Sequence, residues 1–392
     1  MNQSVHSGIK ILVVDDEADM ESMIRQKFRR QIREKSYDFE FAFNGVEALE
    51  KVAEIPDIGL ILSDINMPEM DGLTLLSRLK TLNKSELKTV IVSAYGDMDN
   101  IRTAMNRGAF DFITKPVNFD DLEITIDKTL SEIRSVRNWL TEHEQLVAIQ
   151  HDLNIAREIQ QAILPKVFPP FPGEQSFDIY ASMVAAKEVG GDFYDFFLID
   201  QDRLGFVIGD VSGKGIPAAI FMAVCRTLIR ATGLKGDSVS ECIAHVNYLL
   251  CKESVSSMFV TVFYGILNTR TGEVDYVNAG HNPPYLLSAE GVSTIKMTNG
   301  LALGVLDDFV FESNKIQLKS GEQLLLYTDG VVEAFNLEEE AYGEENYARF
   351  LNENRSLPVD AIIHKTLTDV NEFAGEAPQS DDITLLGITF NG

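Results

Sequence analysis

Cysteine is scarce: Cys225, Cys242 and Cys251 are the only three in 392 residues, and no CxxC spacing joins them. That excludes a disulfide scaffold and a thiolate zinc site, and it points to a reducing compartment. No apolar run approaches the roughly 18 residues needed to cross a bilayer, and the opening MNQSVHSGIK has no hydrophobic signal core. The expectation is a cytoplasmic protein with no membrane partner. Basic residues are also in short supply, 34 Lys and Arg against 60 Asp and Glu for a net charge of −26. A grip on phosphate backbones needs clustered Lys and Arg that displace counterions, so no nucleic acid partner is expected. Glycine and proline are missing locally: no glycine lies between Gly108 and Gly173, and neither residue lies between Pro116 and Pro165. A loop of that length would contain some, so the 48 residues from Val117 to Leu164 are read as one long helix.

What is present divides the chain in three. The hydrophobic share of 45% and charged share of 24% are those of globular protein, and at roughly 100 to 200 residues per domain the length suggests two or three units. The first part alternates apolar strand candidates (Ile9–Val14, Phe39–Phe43, Ile58–Leu62, Thr89–Val92, Phe110–Ile113) with amphipathic stretches such as Met20–Arg33 and Gly72–Leu82. This βα repeat predicts an α/β, doubly wound domain with a five-stranded parallel sheet. In the long helix, Ile126, Leu130, Ile133, Arg137, Leu140, Glu144 and Val147 follow spacings of four and three. A second seam, Leu146, Ile149, Leu153, Ala156, Gln160 and Ile163, is out of frame by one residue, so the stripe slips phase near Gln145. Two readings stay open: a parallel dimerising coiled coil, or a helix packed on its own domains. After Pro165, Pro169, Pro170 and Pro172 the pattern becomes β-rich, with one long helix expected after Gly215 and Pro217 in its first turn. An α+β domain with two packed sheets fits. Net charge divides as −4, −5 and −17 over residues 1–118, 119–164 and 165–392.

Asp15 and Asp16 follow the first strand, Asp64 the third, Ser93 the fourth and Lys115 the fifth. Carboxyl ends of parallel strands converge on one crevice. Carboxylates gathered there invite a hard cation such as Mg²⁺ and leave one free to attack phosphorus, while a lysine and a hydroxyl hold the phosphoryl oxygens. VVDDE, SDINMPEMDG, VSAYGD and DFITKP, in that order, resemble the landmarks of response regulator receiver domains. The resemblance implies Asp64 as phosphoacceptor, Mg²⁺ held by Asp15, Asp16, Asp64 and the Asn66 carbonyl, and phosphoryl contacts from Ser93 and Lys115. Phe112 stands at the family's switch-aromatic position without the hydroxyl of a tyrosine. A sensor histidine kinase is the implied phosphodonor.

The last part carries Asp192 and Asp195 in KEVGGDFYDFF, Asp210 in GDVSGKGIPAA, Asp329 in LLYTDGVVEA, and Asp381 and Asp382 in SDDITLL. Burying isolated carboxylates is costly. Oxygen-only ligands favour Mg²⁺ or Mn²⁺ over zinc, and two such ions suit attack on a phosphate ester. GDVSGKG is not a P-loop, since three residues separate Gly209 from Gly213 and Gly215 follows the lysine. His281 in NAGHNPPY is assigned a structural or substrate-groove role, Asp195 a supporting one, and Lys214 either contact with substrate phosphate or plain solvation. The ordered set AREIQQAILP, VGGDFYD, GDVSGKG, NAGHNPP, YTDGVVEA and SDDITLL resembles the PPM-type serine/threonine phosphatases, and within them the RsbU and SpoIIE group. That resemblance implies a fold of two packed antiparallel sheets flanked by helices. It also implies two Mg²⁺ or Mn²⁺ ions, with Asp210 bridging, Asp192, Asp329 and Asp381 as further ligands, the Val211 carbonyl assisting, and Asp382 at a neighbouring position.

The expected organisation is therefore a receiver at 1–120, a helical coiled-coil linker at 121–164 and a PPM-type phosphatase at 165–392. The resemblance implies dephosphorylation of phosphoserine or phosphothreonine on a STAS-domain anti-sigma-factor antagonist under control of Asp64, in a homodimer joined through the linker. The rival reading is a non-catalytic adaptor that binds a sigma or anti-sigma factor.

Overall fold

The computed structural model describes residues 8–94, 96–253, 258–296 and 300–392. Tyr95 of VSAYGD and the first seven residues of the N-terminal segment lie outside them. The chain forms two compact units, 1–149 and 150–392.

The first unit runs β1 (Lys10–Val14), α1 (Ala18–Lys27), α2 (Arg29–Arg33), β2 (Asp38–Ala42), α3 (Gly45–Glu54), β3 (Ile58–Asp64), α4 (Gly72–Thr81), β4 (Lys88–Ala94), α5 (Met98–Arg107), β5 (Asp111–Lys115) and the start of α6 (Phe119–Ile163). Its strands form the expected parallel sheet, in the order β2-β1-β3-β4-β5. Because successive side chains point to opposite faces, Ile11 and Val13 join one apolar layer and Leu12 and Val14 the other. The helix expected over Met20–Arg33 is broken in two at Phe28, whose ring is fully buried against Tyr37 and Phe39.

Helix α6 is continuous, as the missing Gly and Pro predict, but its stripe is not one seam. Ile126, Leu130 and Ile133, together with Leu122, are buried in the core of the first unit. The start of α6 is thus the closing helix of the doubly wound sheet, and those three positions are unavailable to a partner. Further along, Trp139, Leu146, Val147 and Ile149 are exposed.

The second unit adds β6 (Phe177–Val184), β7 (Phe193–Leu198), β8 (Arg203–Val211), α7 (Ile216–Gly233), α8 (Val239–Glu253), β9 (Val260–Asn268), β10 (Glu273–Ala279), β11 (Tyr285–Ser288), β12 (Gly291–Thr294), β13 (Asn314–Gln317), β14 (Gln323–Tyr327), α9 (Gly343–Asn354), α10 (Val359–Ala374) and β15 (Ile383–Phe390). They build two antiparallel sheets, β13-β10-β9-β8-β7 and β12-β11-β14-β15-β6. Leu324 and Leu326 of β14 face the first sheet, joining Phe206 and Ile208 of β8. Leu325 and Tyr327 face outward, onto Tyr347 of α9 and Ile363 of α10. Helices α7 and α8 cover the outer face of the first sheet. By length and composition α7 could cross a bilayer, contrary to the expectation from the sequence. Here it is a layer of the sandwich, and its Arg226 and Arg230 are ion-paired with the buried Asp195.

Candidate functional site

In the first unit the strand ends do converge. Asp15 follows β1, Asp64 ends β3, Ser93 lies in β4 and Lys115 ends β5. Lys115 Nζ sits 2.6 Å from Asp64 Oδ2, 3.0 Å from Asp15 Oδ2 and 3.2 Å from Glu17 Oε1. Burial works against the ammonium, but the hydrogen bonds to Asp64 and Asp15 outweigh it and raise the Lys115 pKa. Desolvation also raises Asp15, opposed by the Glu17 backbone N–H and by Lys115. Ser93 Oγ is buried with no hydrogen-bond partner among the described residues, a hydroxyl free to donate to an incoming oxygen. Asn66 donates its backbone N–H to Asp64 Oδ1 at 3.3 Å, and Phe112 is partly exposed on β5. Gly72 starts α4 where an added Cβ would overlap the Asp64 carbonyl, so only glycine allows that approach.

Glu17 joins the acids singled out in the sequence. The carboxylates whose oxygens lie within 4.8 Å of one another are Asp15, Glu17 and Asp64, whereas Asp16 is exposed and outside the group. Glu17 is carried toward the lysine because its backbone N–H caps Asp15 Oδ1 at 2.9 Å, a turn that adjacency of acids in the sequence does not reveal. Three oxygen donors suit a hard divalent cation.

In the second unit the register does the gathering. Phe193 pairs with Gly209, which sets Asp192 across from Asp210 at one end of the first sheet. Tyr327 pairs with Leu385, which brings Asp329 near the start of β15, beside Asp381. Asp192 is buried and its pKa is raised well above the ordinary range, first by desolvation and then by the charges of Asp210 and Asp382. Asp210 is pushed up to about 7 by burial and by Asp329. Asp329 is raised by burial, then by Glu333 and Asp381. Among the described residues no trio in this unit closes to the 4.8 Å spacing of the first, yet each acid feels the charge of at least two others. Neutralising such a set is what divalent cations do, and the donors are all oxygen, so the residues fit Mg²⁺ or Mn²⁺.

Of the supports around these acids, the sequence singled out all but Thr328 and Thr261 as residues, but not what they touch. Thr328 donates its hydroxyl to Asp192 Oδ2 at 2.7 Å. Asp382 is a clamp: it accepts the backbone N–H of Ala186 at 2.8 Å and of Gly191 at 2.7 Å. Lys214 meets Asp381 Oδ2 at 2.8 Å and the Ser380 carbonyl at 2.6 Å, which decides against a freely solvated side chain. Asp195 is held by Arg226 at 2.9 Å and Arg230 at 2.7 Å, away from the acid set. His281 is buried, its Nδ1 3.0 Å from Thr261 Oγ1; Thr261 is the cross-strand partner of Asp210. Gln160, placed on the helical seam by its spacing, instead turns into this unit and bonds the Gly190 peptide.

Residues 11–127 match the family model of the response regulator receiver domain, and residues 200–391 that of stage II sporulation protein E (SpoIIE). Protein IcfG of Synechocystis sp. is 31% identical over 269 residues, 61% of this chain and 42% of that protein. Phosphoserine phosphatase RsbU of Bacillus subtilis is 32% identical over 197 residues, 49% of this chain and 58% of that protein. The chain thus spans about half the length of these curated relatives. The SiaA-PP2C domain of Pseudomonas aeruginosa superposes with a TM-score of 0.57 at 21% identity, covering 63% of this chain and 98% of that one, and shares the fold.

Proposed function

Since this chain is a response regulator receiver domain joined to a SpoIIE-type domain of PP2C fold, we propose that it is a metal-dependent protein phosphatase under receiver control. The observation that carries this reading is the gathering of Asp192, Asp210 and Asp329 at one end of the sheets, where burial raises each and the charge of Asp210 adds to Asp192, that of Asp329 to Asp210 and that of Asp381 to Asp329. Carboxylates left so costly to ionise are a poor structural choice and a good cation site. Asp210 would bridge two Mg²⁺ or Mn²⁺ ions, with Asp192, Asp329, Asp381 and the Val211 carbonyl completing the set. The ions supply Lewis acidity toward a phosphate ester and its attacking water. The chain's own contribution is orientation: Thr328 holds Asp192, Lys214 holds Asp381, and Asp382 fixes the loop that delivers Asp192.

The substrate we infer is phosphoserine or phosphothreonine on a STAS-domain anti-sigma-factor antagonist, by analogy with RsbU, a phosphoserine phosphatase by name. A sensor histidine kinase would phosphorylate Asp64, the carboxylate that Lys115 orients, with Mg²⁺ held by Asp15, Asp64, Glu17 or Asp16, and the Asn66 carbonyl. Ser93 and Lys115 would then grip the phosphoryl oxygens, and Phe112 would report the change. Exposed Trp139, Leu146, Val147 and Ile149 on α6 support a homodimer through the linker. Free cysteines throughout support a cytoplasmic setting.

The test is hydrolysis of a phosphorylated STAS protein by wild type and Asp210→Asn, with and without Mn²⁺ and with beryllofluoride. Metal-dependent turnover that Asp210→Asn abolishes, and that beryllofluoride changes, is the expected result. A folded protein that never turns over would favour the adaptor reading, and a rate indifferent to beryllofluoride would sink receiver control.

A further inference from the structure

We propose that Gln160, assisted by Arg157, is a positioning residue through which the long helix sets the place of the Asp192 carboxylate. The inference rests on the phosphatase reading and names the contact that would regulate it. Residues 185–192 lie between β6 and β7 and have no strand partners. Their position is fixed from two sides. On one, the Gln160 amide engages both groups of a single peptide: Nε2 donates to the Gly190 carbonyl at 2.6 Å, and Oε1 accepts the Gly190 N–H at 3.0 Å. Three residues earlier, on the same helical face, Arg157 Nε donates to the Glu188 carbonyl at 3.0 Å. On the other side Asp382 accepts the N–H groups of Ala186 and Gly191.

Two features make this more than a passive contact. Gln160 is 6% exposed, so either bond, if lost, leaves a polar group unpaired without water to replace it, and the amide and peptide must move together. Gly190 also has no room to slide toward Asp382, because an added Cβ there would overlap the carboxylate. A turn or shift of the helix at Gln160 is therefore passed to Gly190, and two residues later to Asp192. Asp210 is carried by β8, paired on both sides within its sheet, and among the described residues has no such link to the helix. The helix thus adjusts one ligand against another.

Mn²⁺ binding to the full-length protein, followed by loss of the free-ion electron paramagnetic resonance signal, tests this without reference to turnover. The component missing in Asp210→Asn is assigned to the second unit. Gln160→Leu should weaken that component about 10- to 100-fold, the usual effect of removing a group that orients a ligand, with unchanged circular dichroism and receiver metal binding. Gln160→Glu, which keeps the acceptor for Gly190 N–H but sets an oxygen against its carbonyl, should weaken it in the same direction. Affinity within about twofold of wild type in Gln160→Leu overturns the proposal; should that variant not fold, Gln160→Glu is held to the same criterion. Mn²⁺ binding that Asp210→Asn leaves intact would instead refute the phosphatase reading, whatever Gln160 does.

Discussion

His281 shows what burial does to a titratable side chain beside the acid set. Burial lowers its pKa to about 4, so it is neutral in the folded protein at pH 7, whereas an unfolded histidine titrates near 6.5. A depressed folded pKa gives stability that is complete above the unfolded value and is lost as pH falls toward the folded one. Protein bearing His281→Gln should therefore show a flatter stability profile from pH 6.5 to 4, the difference from wild type changing by about 3 kcal/mol over that window; urea unfolding at several pH values measures it. Gly190→Ala should abolish phosphatase turnover while leaving Asp64 phosphorylation by a small phosphodonor intact, because the added methyl displaces Asp382 from the loop. The acids themselves were readable as residues, since each sits at the end of an apolar stretch. Their partners were not. Glu17 enters its cluster through a turn, Thr328 through its hydroxyl on Asp192, and Asp382 and Gln160 through backbone groups of segments remote in sequence, for which no spacing rule exists.

At the scale of elements, α6 shows what periodicity can and cannot say. Its existence followed from absent Gly and Pro, and its apolar stripe from spacing. The same stripe serves a helix laid on its own sheet and one laid on a partner, so sequence could not assign its parts. The structure commits Ile126, Leu130 and Ile133 to the first unit's core. Ile133→Ala should accordingly cost about 2 to 5 kcal/mol of receiver stability, the usual range for truncating a buried isoleucine. Leu146→Asp with Ile149→Asp, both at exposed positions, should leave that stability unchanged yet shift the protein toward monomer in analytical ultracentrifugation. Unaltered self-association would remove the linker from the dimer proposal. The break of the expected Met20–Arg33 helix at Phe28 is a related case: the apolar period continues through it, and only the aromatic cluster of Phe28, Tyr37 and Phe39 explains the interruption.

For the molecule as a whole, two units with separate cores should melt as two transitions. Mn²⁺ should raise both, each rising with the logarithm of free metal above its own affinity, and Asp210→Asn should erase the rise of the second unit without touching that of the first; calorimetry decides. The receiver and the sandwich were both legible because their strand ends carry chemistry in a fixed order, while the acidic excess, most of it after residue 164, said only what the chain avoids.

The pairing of β6 with β15 has a consequence for how the protein is made. The first strand of the second unit pairs along its whole length with the last, from Phe177 against Phe390 to Val184 against Ile383, and Asp381 and Asp382 sit just ahead of that final strand. The strands of the receiver end at Lys115 and its closing helix turns end at Ile133, so that domain can fold while the remainder is still being translated. In the second unit, by contrast, β6 has no strand partner until β15 emerges. A chain cut short ahead of β15 would thus carry a finished first unit beside a second whose opening strand has nothing to pair with.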